Sequence, residues 1–234
     1  MTDRYILKNR AKARLSETKS SPMQITVVYL LISFVVSIII GKLNEPVTTW
    51  LLNALDFYHY KGFAPKISPL IIPSYMFIIV LETLMRVVSV GYMSYALGVA
   101  HRKPVRLENL GDGFYRFWKL IAIFILTWFF ILLWSLLFII PGIVAMYRYR
   151  LAYYIALDRP ELSPLECIRE SKRLMHGFKL DLFMLDLSFL GWHILGSLTF
   201  GIALIFKLPY IEVTYALFYI ELASPESSGN EQTI

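Results

Sequence analysis

Long stretches of this chain carry no charge. Ile25 to Gly41 is one such run and Leu120 to Met146 another. The second exceeds the ~20 residues that cross a ~30 Å hydrocarbon core. Six apolar segments follow one another, at roughly 24–42, 69–100, 118–140, 143–157, 180–206 and 210–222. Each is read as a membrane-crossing helix. The second is long for a bilayer and must tilt, kink near Pro73 or project beyond it. Pro141-Gly142 is read as the break after the third, and Pro209 as the turn between the fifth and the short sixth.

The polar intervals carry their own periodicities. In residues 1–23, Leu7, Ala11 and Leu15 recur every four residues beside a basic face, the pattern of a short amphipathic helix. Residues 44–68 are too polar to cross. Val47, Leu51, Ala54, Leu55 and Tyr58 share one helical face after Pro46, so a helix lying in the outer interface is expected, then a loop around Gly62 and Pro65. A basic loop with His101, Arg102, Lys103 and Arg106 leads into an amphipathic stretch bearing Leu107, Leu110 and Phe114. From Ser163 the signals are those of a water-facing helix. Ser163 caps it, Pro164 fits its first position, Glu166 completes a capping box and Gly177 ends it.

Composition agrees with a lipid-solvated chain. Of 234 residues, 57% are hydrophobic and 17% charged, against about 45–50% and about 25% in soluble domains; the mean hydropathy is +0.57. The fold class is all-α: a polytopic membrane bundle of about six transmembrane helices with amphipathic cytoplasmic helices. A basic arm (1–23), a six-span domain (24–222) and a disordered acidic tail (223–234) divide the chain. The net charge of +6 does not indicate nucleic-acid binding, because membrane proteins gather Lys and Arg in cytoplasmic loops. With both termini inside, eighteen Lys and Arg lie on the cytoplasmic side and four outside, leaving out Arg86. Arg148 and Arg150, counted inside, fall close to membrane depth. Anionic lipid headgroups are the expected partners of the basic helices.

The chain echoes itself. Gly113-Phe114 stands to Trp128 as Gly177-Phe178 stands to Trp192, and Phe138, Pro141, Ile143 and Tyr147 are matched by Phe206, Pro209, Ile211 and Tyr215. Ala96, Val99, Ala100, Lys103 and Pro104 are matched by Ala152, Ile155, Ala156, Arg159 and Pro160. The unit is a helical hairpin, repeated in parallel three times.

The run from Leu162 through Ser163-Pro164-Leu165-Glu166-Cys167-Ile168-Arg169-Glu170-Ser171-Lys172-Arg173-Leu174 to Gly177 resembles a bacterial family catalogued as domain of unknown function 975. Leu187 to Trp192, Leu198 to Ile202, and Pro209-Tyr210 with Phe218-Tyr219 and Glu221-Leu222 strengthen the likeness, which is densest from 139 to 222. The resemblance implies a multi-pass protein of the bacterial plasma membrane, with no activity to carry over.

Nothing in the motifs points to an enzyme or a cofactor. The chain lacks a phosphate-binding glycine loop, a His-Glu-x-x-His pair and a nucleophile elbow, and His59, His101, His176 and His193 are scattered. Cys167 lies beside Glu166 and Glu170, which raise a thiol pKa. The candidate site is the set of ionisable residues at membrane depth, where each costs roughly 2.5–3.5 kcal/mol. These are Glu82 and Arg86, spaced four apart as an intrahelical pair, with Arg148, Arg150, Asp186, His193 and Glu212. Tyrosines near Arg148 suit either an interfacial belt or cation–π stacking. Two function classes remain open. One is a non-enzymatic scaffold or accessory protein of the envelope, with a membrane-protein partner. The other is a small transporter, or a lipid- or peptide-handling protein, built on a polar cavity.

Overall fold

The computed structural model describes residues 3–18, 22–60, 69, 71–199 and 201–224, the side chains of 53–60 excepted. The described residues form helices and turns, with no strand among them. Eleven α-helices follow in order: α1 (Arg4–Glu17), α2 (Pro22–Tyr60), α3 (Ile71–Ala100), α4 (Asp112–Tyr115), α5 (Phe117–Leu137), α6 (Ile139–Tyr149), α7 (Ala152–Asp158), α8 (Pro164–Leu174), α9 (Lys179–Leu187), α10 (Leu190–Leu198) and α11 (Ile202–Ala223). A 3-10 turn, Leu107–Gly111, precedes α4.

Among the described residues, four helices are long and apolar enough to cross a membrane: Pro22–Leu52 of α2, and α3, α5 and α11. Their outward faces are apolar. Phe34, Val35 and Ile38 on α2, Phe77 and Val80 on α3, and Phe129, Leu133 and Leu136 on α5 are all exposed. A belt of this size has no stable place in water and suits hydrocarbon. The core lies where α3, α7 and α11 meet. Ala96, Ala152, Ala156 and Ala216 are fully buried beside Tyr92, Tyr95 and Tyr219. Lipid gives no hydrophobic drive between helices, so small residues that let backbones approach, with large rings filling the gaps, supply the packing.

Several boundaries differ from those read in the sequence, each for a local reason. No separate interfacial helix begins after Pro46; α2 runs on to Tyr60 with Pro46 inside it. Thr48 Oγ1 donates to the carbonyls of Asn44 and Glu45 at 3.1 and 3.0 Å, and Lys42 pairs with Glu45 at 3.1 Å, which holds the turn together around the proline. The loop placed around Gly62 and Pro65 lies outside the described residues, as does the tail beyond 224. The third segment ends at Phe138, whose φ of −161° is extended, and Pro141 sits in the first turn of α6. Proline is tolerated there because its missing N–H would have no partner anyway.

The fourth segment is α6 and α7 with a turn at Arg150 and Leu151. The fifth is broken twice. Ser188 Oγ bonds back to the Leu185 carbonyl at 2.6 Å, ending α9, and Gly201 takes φ +89° after α10. Pro209 does not turn the chain. It lies within α11, which starts at Ile202 instead of 210. The two alanine-rich echoes, Ala96 to Ala100 and Ala152 to Ala156, both form buried helix ends.

The weak N-terminal stripe, which fitted a solvated tail about as well, forms a helix, α1, and protein covers it. Leu7 and Ala11 are buried and α1 packs on α11. Asp3 caps α1 by accepting from the Tyr5 N–H at 2.9 Å.

Candidate functional site

Charges placed in apolar helices must find partners, and four of the seven sequence candidates, Arg86, Arg150, Asp186 and Glu212, find them around one pocket. It has a volume of about 430 Å³ and lies between α2, α3, α5, the α6–α7 turn and α11. Arg86, Arg150 and Glu212 line it with a wall of tyrosines: Tyr29, Tyr92, Tyr147, Tyr149, Tyr153, Tyr154 and Tyr215.

The helical repeat explains how each group arrives. On α3, Arg86, Ser89 and Met93 lie three and four residues apart and share a face. Tyr147 and Tyr154 are seven apart, on either side of the turn that carries Arg150. On α11, Glu212 and Tyr215 are three apart and project toward that turn.

One side of the pocket is closed by a clasp. Arg150 Nη1 donates to Asp186 Oδ2 at 2.6 Å. Tyr147 donates to the same oxygen at 3.1 Å, and Tyr215 donates to Oδ1 at 2.6 Å. The Arg150 guanidinium also lies 4.8 Å from the centre of the Tyr215 ring. One carboxylate of α9 thus accepts three hydrogen bonds, two from the end of α6 and one from α11. Beside it, Tyr154 donates to Glu212 Oε2 at 3.4 Å and stacks on Tyr219 at 5.7 Å.

The opposite wall is looser. Arg86 lies over Phe124 of α5, 4.2 Å from the ring centre. No ion pair joins it to Glu82 among the described residues, and Glu82, exposed, is not part of the pocket lining. The expected intrahelical pair gives way to a cation–π contact across helices. Ser89 shares a 3.1 Å hydrogen bond with Tyr29, and Thr26 one of 2.7 Å with Tyr92, so α2 closes this side.

Two other sequence candidates lie elsewhere. Arg148 borders a separate small pocket against Trp134, at 5.9 Å from that ring, and its carbonyl accepts from Ser171 at 2.9 Å. Among the described residues, no tyrosine stacks on its guanidinium; Tyr147, Tyr149, Tyr153 and Tyr154 face the main pocket. His193 is exposed on α10. Of the sequence candidates, the structure thus brings Arg86, Arg150, Asp186 and Glu212 together; the tyrosines were not among those candidates. The signal for two of them was the seven-residue interval that puts Tyr147 and Tyr154 on one side of the chain. Among the described residues, no group of three or more His, Cys, Asp or Glu converges to hold a metal ion.

The geometry suits recognition of a partly apolar molecule: aromatic walls edged with hydroxyls, and in Arg86 a cation with no ion-paired acid among the described residues. Residues 136–226 match a known family, Protein of unknown function (DUF975). That stretch is where the resemblance in the sequence is densest. In DUF975 terms the pocket is half inside and half outside the match. Arg150, Asp186, Glu212 and the tyrosines of α6, α7 and α11 fall within it; Arg86, Phe124, Tyr29 and Tyr92 lie upstream. No curated protein and no solved structure matches the chain.

Proposed function

We propose that this chain is a non-enzymatic, multi-pass protein of the bacterial plasma membrane that holds an anionic amphiphile, a lipid or a peptide, in the pocket beneath Arg86. The observation that carries the reading is that pocket: about 430 Å³, walled by aromatic rings and presenting a guanidinium with no acidic partner among the described residues. In hydrocarbon such a cation is costly unless an anion or an aromatic ring meets it. Phe124 supplies the ring, and a ligand's carboxylate or phosphate would supply the anion.

Both termini are cytoplasmic in this proposal, following the distribution of Lys and Arg. The broken segments α6–α7 and α9–α10 supply the two remaining passages, completing six spans in three hairpins. The competing reading, a scaffold or accessory protein, draws support from the Arg150–Asp186 clasp, which is fully paired and serves packing.

The two separate on purification of the full chain from native membranes in mild detergent, with native mass spectrometry of what remains bound. An amphiphile retained at one copy per chain, and reduced about tenfold or more in Arg86→Gln, is the expected outcome, since a hydrogen bond to a charged group contributes about 1.5–3 kcal/mol. Retention unaffected by Arg86→Gln, or no bound amphiphile at all, removes the binding reading and leaves the scaffold.

A further inference from the structure

A second, independent site lies at the opposite kind of surface, where the end of α1 meets the end of α3. A groove of about 650 Å³ is lined there by Arg14, Arg102, Lys103 and Arg106, with Glu17 as its acid among the described lining residues. Glu17 is already engaged: Arg102 donates to its two oxygens at 3.1 and 3.4 Å. Arg14 Nη1 stands 4.0 Å from the same carboxylate, outside hydrogen-bond range. That nitrogen is buried and has no acceptor. A buried guanidinium N–H without an acceptor is expensive, and native structures rarely leave one so.

The backbone adds a second observation. α3 ends with the Lys103 N–H bonded to the Gly98 carbonyl at 2.9 Å and the Arg102 N–H to the Val99 carbonyl at 3.1 Å. Arg102 takes φ +58°, the left-handed position that glycine normally fills at a helix end. An arginine there accepts strain in return for a cation at the rim of the groove.

We propose that this groove binds a phosphate-bearing group. Four cations face one spent carboxylate, leaving three positive charges to be answered. A phosphate has the oxygens to accept from several guanidinium forks at once, and Arg14, Arg102 and Arg106 all line the groove. The same chemistry is offered by a phosphate-monoester lipid headgroup and by a soluble oligophosphate.

The full chain in nanodiscs tests both sources. In one arm inorganic pyrophosphate is titrated against protein in neutral phosphatidylcholine. In the other, phosphatidic acid is introduced into the nanodisc and its retention on the protein is measured by native mass spectrometry. Saturable binding in either arm is expected, and the arm that responds names the source. Arg14→Gln and Arg106→Gln should each weaken it about tenfold or more. Arg169→Gln, which removes the same charge from the exposed face of α8, should change it less than about twofold, as for a surface charge. Arg106 is exposed, so its variant reports even if Arg14→Gln fails to fold. No saturable binding in either arm, or equal weakening by Arg169→Gln, overturns the proposal.

Discussion

Two single residues show how tightly the bundle is drawn. Cys167 on α8 has no exposed surface, and burial pushes its thiol up. In the sequence the neighbouring carboxylates gave the same direction; burial is the larger cause. The folded protein in detergent should leave Cys167 unlabelled by maleimide at neutral pH, with full labelling after denaturation. Labelling at the rate of a free thiol would show α8 undocked. Gly91 of α3 faces the carbonyl of Leu110, and a Cβ there would collide with that backbone. Gly91→Ala should therefore cost about 1–3 kcal/mol, the usual cost of overpacking, read as a fall in the thermal unfolding midpoint. Gly41, with open space around it, is the control position.

Among the elements, α8 was the most legible and α9–α10 the least. The signals for α8 are contiguous: Ser163 accepts from the Glu166 N–H and Glu166 accepts from the Ser163 N–H, so the reciprocal cap read in the sequence is present. The breaks around α9 and α10 depend on a serine bonding back to its own helix and on one glycine in a left-handed turn, weak signals inside an apolar run. The prolines misled for a related reason, since Pro141 and Pro209 mark a helix start and a helix interior as readily as a turn. α8 also carries a pH dependence. Arg173 donates to Glu170 at 2.7 and 2.8 Å, with Arg159 adding a third contact at 3.1 Å. These hold the Glu170 carboxyl below its ordinary range, the Arg173 hydrogen bonds first among the causes. A carboxyl whose pKa is lower folded than unfolded stabilises the fold above the unfolded value, ~4.3, and loses that contribution as pH falls through the folded one. The unfolding midpoint should thus drop on acidification below that value, and Glu170→Gln should flatten the drop. An unchanged slope in the variant would place the acid sensitivity elsewhere.

At the scale of the whole molecule, the clasp on Asp186 ties three segments that are far apart in sequence. Asp186→Asn keeps the shape but removes the charge that Arg150 answers, and a destabilisation of about 1–3 kcal/mol is expected. If the clasp serves packing, the double variant Asp186→Asn with Arg150→Gln should recover part of that loss, because no charge is then left unanswered; unfolding in detergent measures both. The sequence marked charges inside or beside apolar runs but not their partners. Arg86 was matched to Glu82 by spacing along its own helix, whereas a ring from α5 met it in space. Apolar run length, a property of single segments, was legible; convergence of segments was not. Four of the expected spans carry their length and apolarity in one helix, and the others are divided among shorter ones.

The docking of α1 against α11, with Arg10 reaching toward Glu221 at 4.0 Å, bears on how the chain is made. α1 draws most of its packing from α11, an element far downstream, and a smaller part from α3. Until α11 is inserted, the face bearing Leu7 and Ala11 lacks the larger of these two surfaces. A nascent chain arrested before residue 202 would therefore hold α1 less firmly and more open to protease.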